Sequence, residues 1–165
     1  MLNVSIVLYR PDWEQVSALT HALLQSQRVN RVYWIDNSPQ AAEQLPLQSD
    51  RIQYQHNSTN LGYGAAHNIA IRESIYDNIS FHLVINPDII LDAKELDRML
   101  DFVSQNPLVG SLMPKVTYPN GQLQYLCKLL PTPLDVFGRR FLPSSWIAQR
   151  NHQYEMRASG YDKIM

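Results

Sequence analysis

The sequence is poor in the residues that would announce redox or metal-cluster chemistry. Its single cysteine, Cys127, excludes an intrachain disulfide and a thiolate metal cluster; it is expected to be a small buried hydrophobe in a reducing compartment. Charge of either sign is scarce in excess: 14 Lys+Arg stand against 15 Asp+Glu, a formal charge of -1. That balance argues against a nucleic-acid partner, which calls for a basic surplus. No apolar run reaches the roughly 18 residues of a membrane-spanning helix, and the β-branched N-terminus lacks the basic region of a signal peptide. The cytoplasm is therefore the default address. The five histidines show no paired metal spacing, and neither a Walker A lysine motif nor a nucleophile elbow is present.

What remains is an apolar chain, 45% hydrophobic over 165 residues, long enough for one domain with a real core. The run Val4-Ser5-Ile6-Val7-Leu8-Tyr9 reads as a strand covered on both faces and stopped by Arg10-Pro11-Asp12. Trp13, Val16, Leu19, Leu23 and Leu24 then fall on one face of a helix, with Asp12 as its N-cap. A second strand over residues 31–35 closes on Asp36-Asn37-Ser38-Pro39. Strand, helix and strand with short links predict a right-handed crossover and a parallel sheet.

The pattern recurs with a weaker strand at residues 52–55, a polar loop, and a helix with Ala66, Ile69, Ala70 and Ile75 inward. A strand at residues 81–85 ends in Asn86-Pro87-Asp88, and a helix over about residues 93–105 follows. A short strand is expected near residues 110–113, then a hairpin whose Asn120-Gly121 suits a type I′ turn. The charge is unevenly divided: residues 1–126 sum to -4 and residues 127–165 to +3. This basic, aromatic and proline-rich tail reads as loop and short helix, with a solvated surface or an anionic partner as the two explanations.

Ligands of open parallel sheets bind beyond the carboxyl ends of the strands, so the residues gathered there matter most. Asp88, placed by Pro87 after a buried strand, suits a hard cation such as Mg²⁺ or Mn²⁺; the bland reading makes it the cap of a turn. Asp36 is placed to accept from a base N–H or a ribose hydroxyl, against a plain turn role. In residues 60–68, Gly62 and Gly64 allow close backbone approach at a helix N-terminus that favours anions, and His67 stands where a dinucleotide fingerprint has its third glycine. His82, inside a strand, reads as a satisfied core residue.

Taken together, Val4-Ser5-Ile6-Val7-Leu8-Tyr9, Ile35-Asp36-Asn37-Ser38, Asn60-Leu61-Gly62-Tyr63-Gly64-Ala65-Ala66-His67-Asn68 and Ile85-Asn86-Pro87-Asp88 resemble, in order and spacing, family 2 glycosyltransferases. Within them the chain looks most like the rhamnosyltransferase-type branch that builds O-antigen and other surface polysaccharides. The resemblance implies an α/β, Rossmann-like GT-A fold, a mostly parallel sheet with helices on both faces. It further implies inverting transfer of a sugar such as rhamnose from a dTDP- or UDP-linked donor to a glycan or lipid-linked acceptor. Asp36 would hold the nucleobase with Tyr9 beside it, Gly62 and Asn68 would border the nucleotide, and Asn86 would support the ribose or diphosphate. Asp88 would contact Mg²⁺ or Mn²⁺, in a motif whose usual first Asp is Asn86 here.

Residues 1–126 would form the nucleotide-sugar-binding domain, and residues 127–165 would lead toward an acceptor and catalytic-base region. No acid after Asp88 sits in the family's base motif, so no catalytic residue is assigned and the chain is expected to stop short of that region. Peripheral attachment at the inner face of the cytoplasmic membrane and self-association are further expectations. The alternative is an inactive remnant that only binds nucleotide sugar or assembles; an NAD-dependent or flavodoxin-like protein is a third, weaker reading.

Overall fold

A computed structural model describes residues 1–126, 128–130, 132, 152, 154, 155 and 157. Cys127 and the tail charges Asp135, Arg139, Arg140, Arg150, Asp162 and Lys163 lie outside the described residues, as does most of the tail's expected loop and short helix. The chain divides into two compact units, Met1–Gly110 and Ser111–Met165.

The first unit alternates strand and helix: β1 (Leu2–Leu8), α1 (Trp13–Gln25), β2 (Val29–Asp36), β3 (Ile52–His56), α2 (Tyr63–Tyr76), β4 (Phe81–Ile85) and α3 (Ala93–Gln105). All pairings are parallel, in the order β3-β2-β1-β4, with Leu8 opposite Asp36 and Ile6 opposite Ile85. This is the expected α/β sheet. The order reverses between β1 and β4, because β1 leads outward through β2 to β3 on one side and β4 returns on the other. Such a switch point opens a crevice beyond the carboxyl ends of those two strands.

Alternation along β1 divides the interior, since successive side chains of a strand point to opposite faces. Leu2, Val4, Ile6 and Leu8 join Val16, Leu19 and Leu23 of α1, Trp34 of β2, and Leu96 and Leu100 of α3 in the main core. Asp12 caps α1 as the sequence suggests, accepting from the Glu14 and Gln15 N–H groups at 3.0 and 3.3 Å. Asp92 caps α3 through the Lys94 N–H. At the far end of the sheet the Arg51 guanidinium donates to the Leu24 and Ser26 carbonyls at 3.1 and 2.9 Å and to that of Val29, fastening β3 to the α1–β2 link.

The opposite face carries α2 and differs in chemistry. Tyr33, Ile35, Ala66 and Ala70 make a small apolar cluster, and beside it runs a buried polar seam. Ser5 Oγ lies 2.7 Å from His67 Nδ1 and 2.8 Å from His82 Nε2. Ser74 Oγ lies 2.7 Å from His82 Nδ1 and accepts from Asn3 Nδ2 at 3.0 Å. Both His82 nitrogens are thus engaged, and His82 is the satisfied residue expected. His67 Nε2 is buried without a partner among the described residues. Burial lowers the pKa of His67 to about 4, and burial followed by repulsion from His67 lowers that of His82 to about 4.

Three local expectations are corrected. Ile75 is not inward: it is 69% exposed, because the buried face of α2 runs through Ala66, His67, Ala70 and Ser74 and Ile75 falls outside that stripe. Residues 110–113 form no strand; they begin at Gly110 and run into Pro114, and Leu112 and Met113 stay exposed without a pairing partner among the described residues. The hairpin exists, with Thr117 bridging Leu123 in the second unit, but its turn is not type I′. Gly121 N–H donates to the Tyr118 carbonyl at 2.8 Å, which puts Pro119 and Asn120 at the central positions. Positive φ is confined to Gly121 (+81°) there. Pro119 pre-sets the φ of an ordinary type I turn, and the left-handed glycine follows it as a bulge.

Candidate functional site

The residues singled out at the strand ends meet along one edge of the first unit. Asp36, the last residue of β2, is 1% exposed. Its Oδ1 accepts from the Ser38 N–H at 2.8 Å and its Oδ2 from the Tyr54 hydroxyl at 2.7 Å. Tyr54 also accepts from the Ala42 N–H at 3.1 Å, so it ties the 38–42 loop to β3. Burial, and then the Asp36 carboxylate that its proton serves, raise the Tyr54 pKa. The buried carboxylate therefore holds a loop in place and still borders a cavity. That cavity, of about 550 Å³, is lined by Arg10, Trp13, Asp36, Ser38, Gln40 and Ala42 among others.

Tyr9 and Arg10 follow β1 and are both exposed. Arg10 takes a left-handed backbone, φ +50°, a conformation that costs a bulky residue about 1 kcal/mol or more. Its N–H donates to Ser38 Oγ at 2.7 Å, locking the β1 and β2 exits together, and its guanidinium lies 5.7 Å from the centre of the Tyr9 ring. Asn37 and Asn57 continue the lacing: Asn57 Nδ2 donates to Asn37 Oδ1 at 2.8 Å, and Asn37 Nδ2 reaches the Gly62 carbonyl at 3.4 Å.

Gly62 begins α2 at φ +79°, a left-handed position suited to glycine, with open space where a Cβ would stand. No side chain caps this helix, which leaves first-turn N–H groups available to an anion. Asn68 lies on the exposed side of α2 and Gly64 in its first turn.

Tyr63 joins this helix end to the β4 exit, a role the sequence reading missed. Its hydroxyl donates to Asn86 Oδ1 at 2.9 Å, and its ring packs edge-on to His67 with centroids 4.3 Å apart. Burial, followed by the nearby negative charge of Asp88, raises the Tyr63 pKa. Asp88 itself is exposed and makes no hydrogen bond among the described residues. The turn-capping reading of Asp88 does not hold: the turn closes through the Ile89 N–H to the Asn86 carbonyl at 3.4 Å, and Asp92 caps α3.

No group of three or more His, Cys, Asp or Glu side chains suited to a metal occurs among the described residues. An all-protein metal cage is thereby absent from them. A free carboxylate beside an amide oxygen still fits a hard cation that keeps its waters and takes further oxygens from a diphosphate. Among the described residues no helix is long and apolar enough to cross a membrane.

A parallel sheet clothed on both faces, with its polar side chains collected at the switch point, defines a GT-A-like α/β fold. The model of the family described as Glycosyl transferase family 2 matches residues 34–149, and the chain belongs to that family. In structure it is similar to S. aureus TarS, with a TM-score of 0.50 and 15% identity over 68% of this chain and 23% of that one. A crystal structure of S. aureus TarS 1-349 gives a TM-score of 0.48 and 15% identity over 69% of this chain and 38% of that one. At that identity the likeness bears on the fold alone, and this chain spans less than two thirds of either. No curated protein matches the chain.

Proposed function

We propose that this chain is the donor-binding part of an inverting glycosyltransferase that takes a sugar, such as rhamnose, from a dTDP- or UDP-linked donor. The acceptor in this reading is a growing surface polysaccharide or lipid-linked glycan of the O-antigen kind, met at the inner face of the cytoplasmic membrane. Residues 1–126 bind the nucleotide sugar, and residues 127–165 lead toward the acceptor. The observation that carries the reading is the pairing of a cavity bordered by the buried Asp36 with the unengaged Asp88 two strands away.

Asp36 accepts from the base, the exposed Tyr9 packs beside the base, and the Gly62 turn and Asn68 flank the nucleotide. Asn86, held by Tyr63, orients the ribose or diphosphate beside Asp88. Asp88 is the carboxylate that would hold Mg²⁺ or Mn²⁺, which when bound screens the leaving diphosphate's charge. Inversion proceeds as the acceptor oxygen attacks the anomeric carbon, the bond to the diphosphate breaks, and a base takes the hydroxyl proton; that base is not assigned to a residue of this chain.

Calorimetric titration of UDP and dTDP into the chain, with and without Mn²⁺, tests the reading. Nucleotide binding with a metal-linked heat that Asp88→Ala abolishes is expected; silence in every titration overturns it. A second reading, an assembly module, draws on exposed apolar side chains in β4 and in the segment after it, Val84 at 43% and Ile90 at 96%. An unpaired strand edge invites association, and gel filtration at low and high concentration separates the two, since a monomer throughout excludes it.

A further inference from the structure

Among the described residues, the Arg10 guanidinium has no contact that ties elements of the fold together, its ring contact being with the adjacent, exposed Tyr9. The neighbours of Arg10 are bonded through its backbone N–H, which any residue but proline would supply. Its guanidinium pairs with no carboxylate among the described residues, and it lines the cavity that Asp36 borders. The chain nevertheless keeps a long side chain at φ +50°, where glycine would be relaxed. Strain retained at a pocket is grounds for a functional hypothesis.

The sheet order supplies its direction. β1 lies between β2, which ends at Asp36, and β4, which leads to Asn86 and Asp88. Neighbouring strands stand about 4.8 Å apart, so a ligand with one end at Asp36 passes over the β1 exit, where the long Arg10 side chain is rooted, after about 5 Å and reaches the Asp88 end after about 10 Å. A nucleoside diphosphate has its anionic part at that distance from its base.

Resting on the donor-binding reading above, we infer that the Arg10 guanidinium is a direct contact for the diphosphate of the nucleotide, set at the switch point between the base end and the Asp88 end of the crevice. A guanidinium offers paired N–H donors that match phosphate oxygens. It contributes to nucleotides and nothing to nucleosides.

The test compares UDP with uridine, and dTDP with thymidine, on the full chain and on Arg10→Gly and Arg10→Lys, with melting temperatures measured alongside. Arg10→Gly is expected to melt at or above the parent temperature, to weaken diphosphate binding about tenfold, the effect of one charge-assisted contact, and to leave nucleoside binding unchanged. Arg10→Lys is expected to recover part of the diphosphate affinity. Equal diphosphate affinity in parent and Arg10→Gly, or an equal loss for nucleoside and diphosphate, overturns the Arg10 assignment while donor binding stands. A parent chain that binds none of the four ligands overturns both.

Discussion

Asp36 and Asp88 occupy equivalent places in the chain, each a carboxylate at the exit of a parallel strand, and the fold treats them in opposite ways. Asp36 is 1% exposed and spends both oxygens on protein donors, Ser38 N–H and the Tyr54 hydroxyl. Asp88 is exposed and has no partner among the described residues, in a turn closed by backbone. The first is built into the scaffold and presents a fixed wall to a cavity; the second is left over by the scaffold and so is available to a ligand. Environment, not residue type, divides a carboxylate fixed by protein donors from one without a protein partner among the described residues.

The comparison breaks most visibly under mutation of Asp36. Asp36→Ala leaves the buried Ser38 N–H without its acceptor and frees the 38–42 loop, so urea unfolding should show a loss of roughly 3 kcal/mol. A loss below about 0.5 kcal/mol would mean that Asp36 is not structural.

Acid probes the support of the Asp88 end, which rests on Tyr63 packed against the buried His67. The folded-state pKa values of His67 and His82, about 4, lie below the unfolded value of about 6.5. Their neutral forms are thus favoured by folding. The contribution is complete above pH 6.5 and is lost as pH falls toward 4, because the unfolded chain binds more protons. Unfolding free energies from urea titrations should fall between pH 7 and 4.5 by on the order of 2 kcal/mol for each of the two histidines. A flat profile across that window would show that the histidines are not held neutral.

The smallest stability effect belongs to Asp88. Asp88→Ala breaks no hydrogen bond of the described residues and should shift unfolding by less than about 0.5 kcal/mol, the counterpart of the loss at Asp36. A shift of 2 kcal/mol or more would make the two carboxylates alike.

Much of this edge is legible in the sequence because its signals are local. A short apolar run ending in a polar turn marks a strand exit, and Asp36, the Gly62 loop and the residues 86–88 each carry that mark. The N-cap Asp12 and the span of α3 are local in the same sense. The polar seam under α2 is not: Ser5 meets His67 and His82 across 62 and 77 residues of chain, and no window of sequence contains both partners. Arg10 reads as a strand stop, since its left-handed backbone depends on the Ser38 bond from the neighbouring strand. Tyr63 belongs to a glycine loop in the sequence, and its tie to Asn86 appears once α2 and β4 are side by side. Asn120-Gly121 misleads in the other direction, where Pro119 moves the turn one residue back.

Amide chemical-shift mapping on the full chain tests most directly that one nucleotide spans both carboxylates. Uridine should move the amides of residues 38–42, and UDP with Mn²⁺ should in addition broaden amides around the crevice, most strongly those of residues 86–89 and 62–65. Broadening centred elsewhere, or nucleoside shifts remote from residues 38–42, would contradict the account.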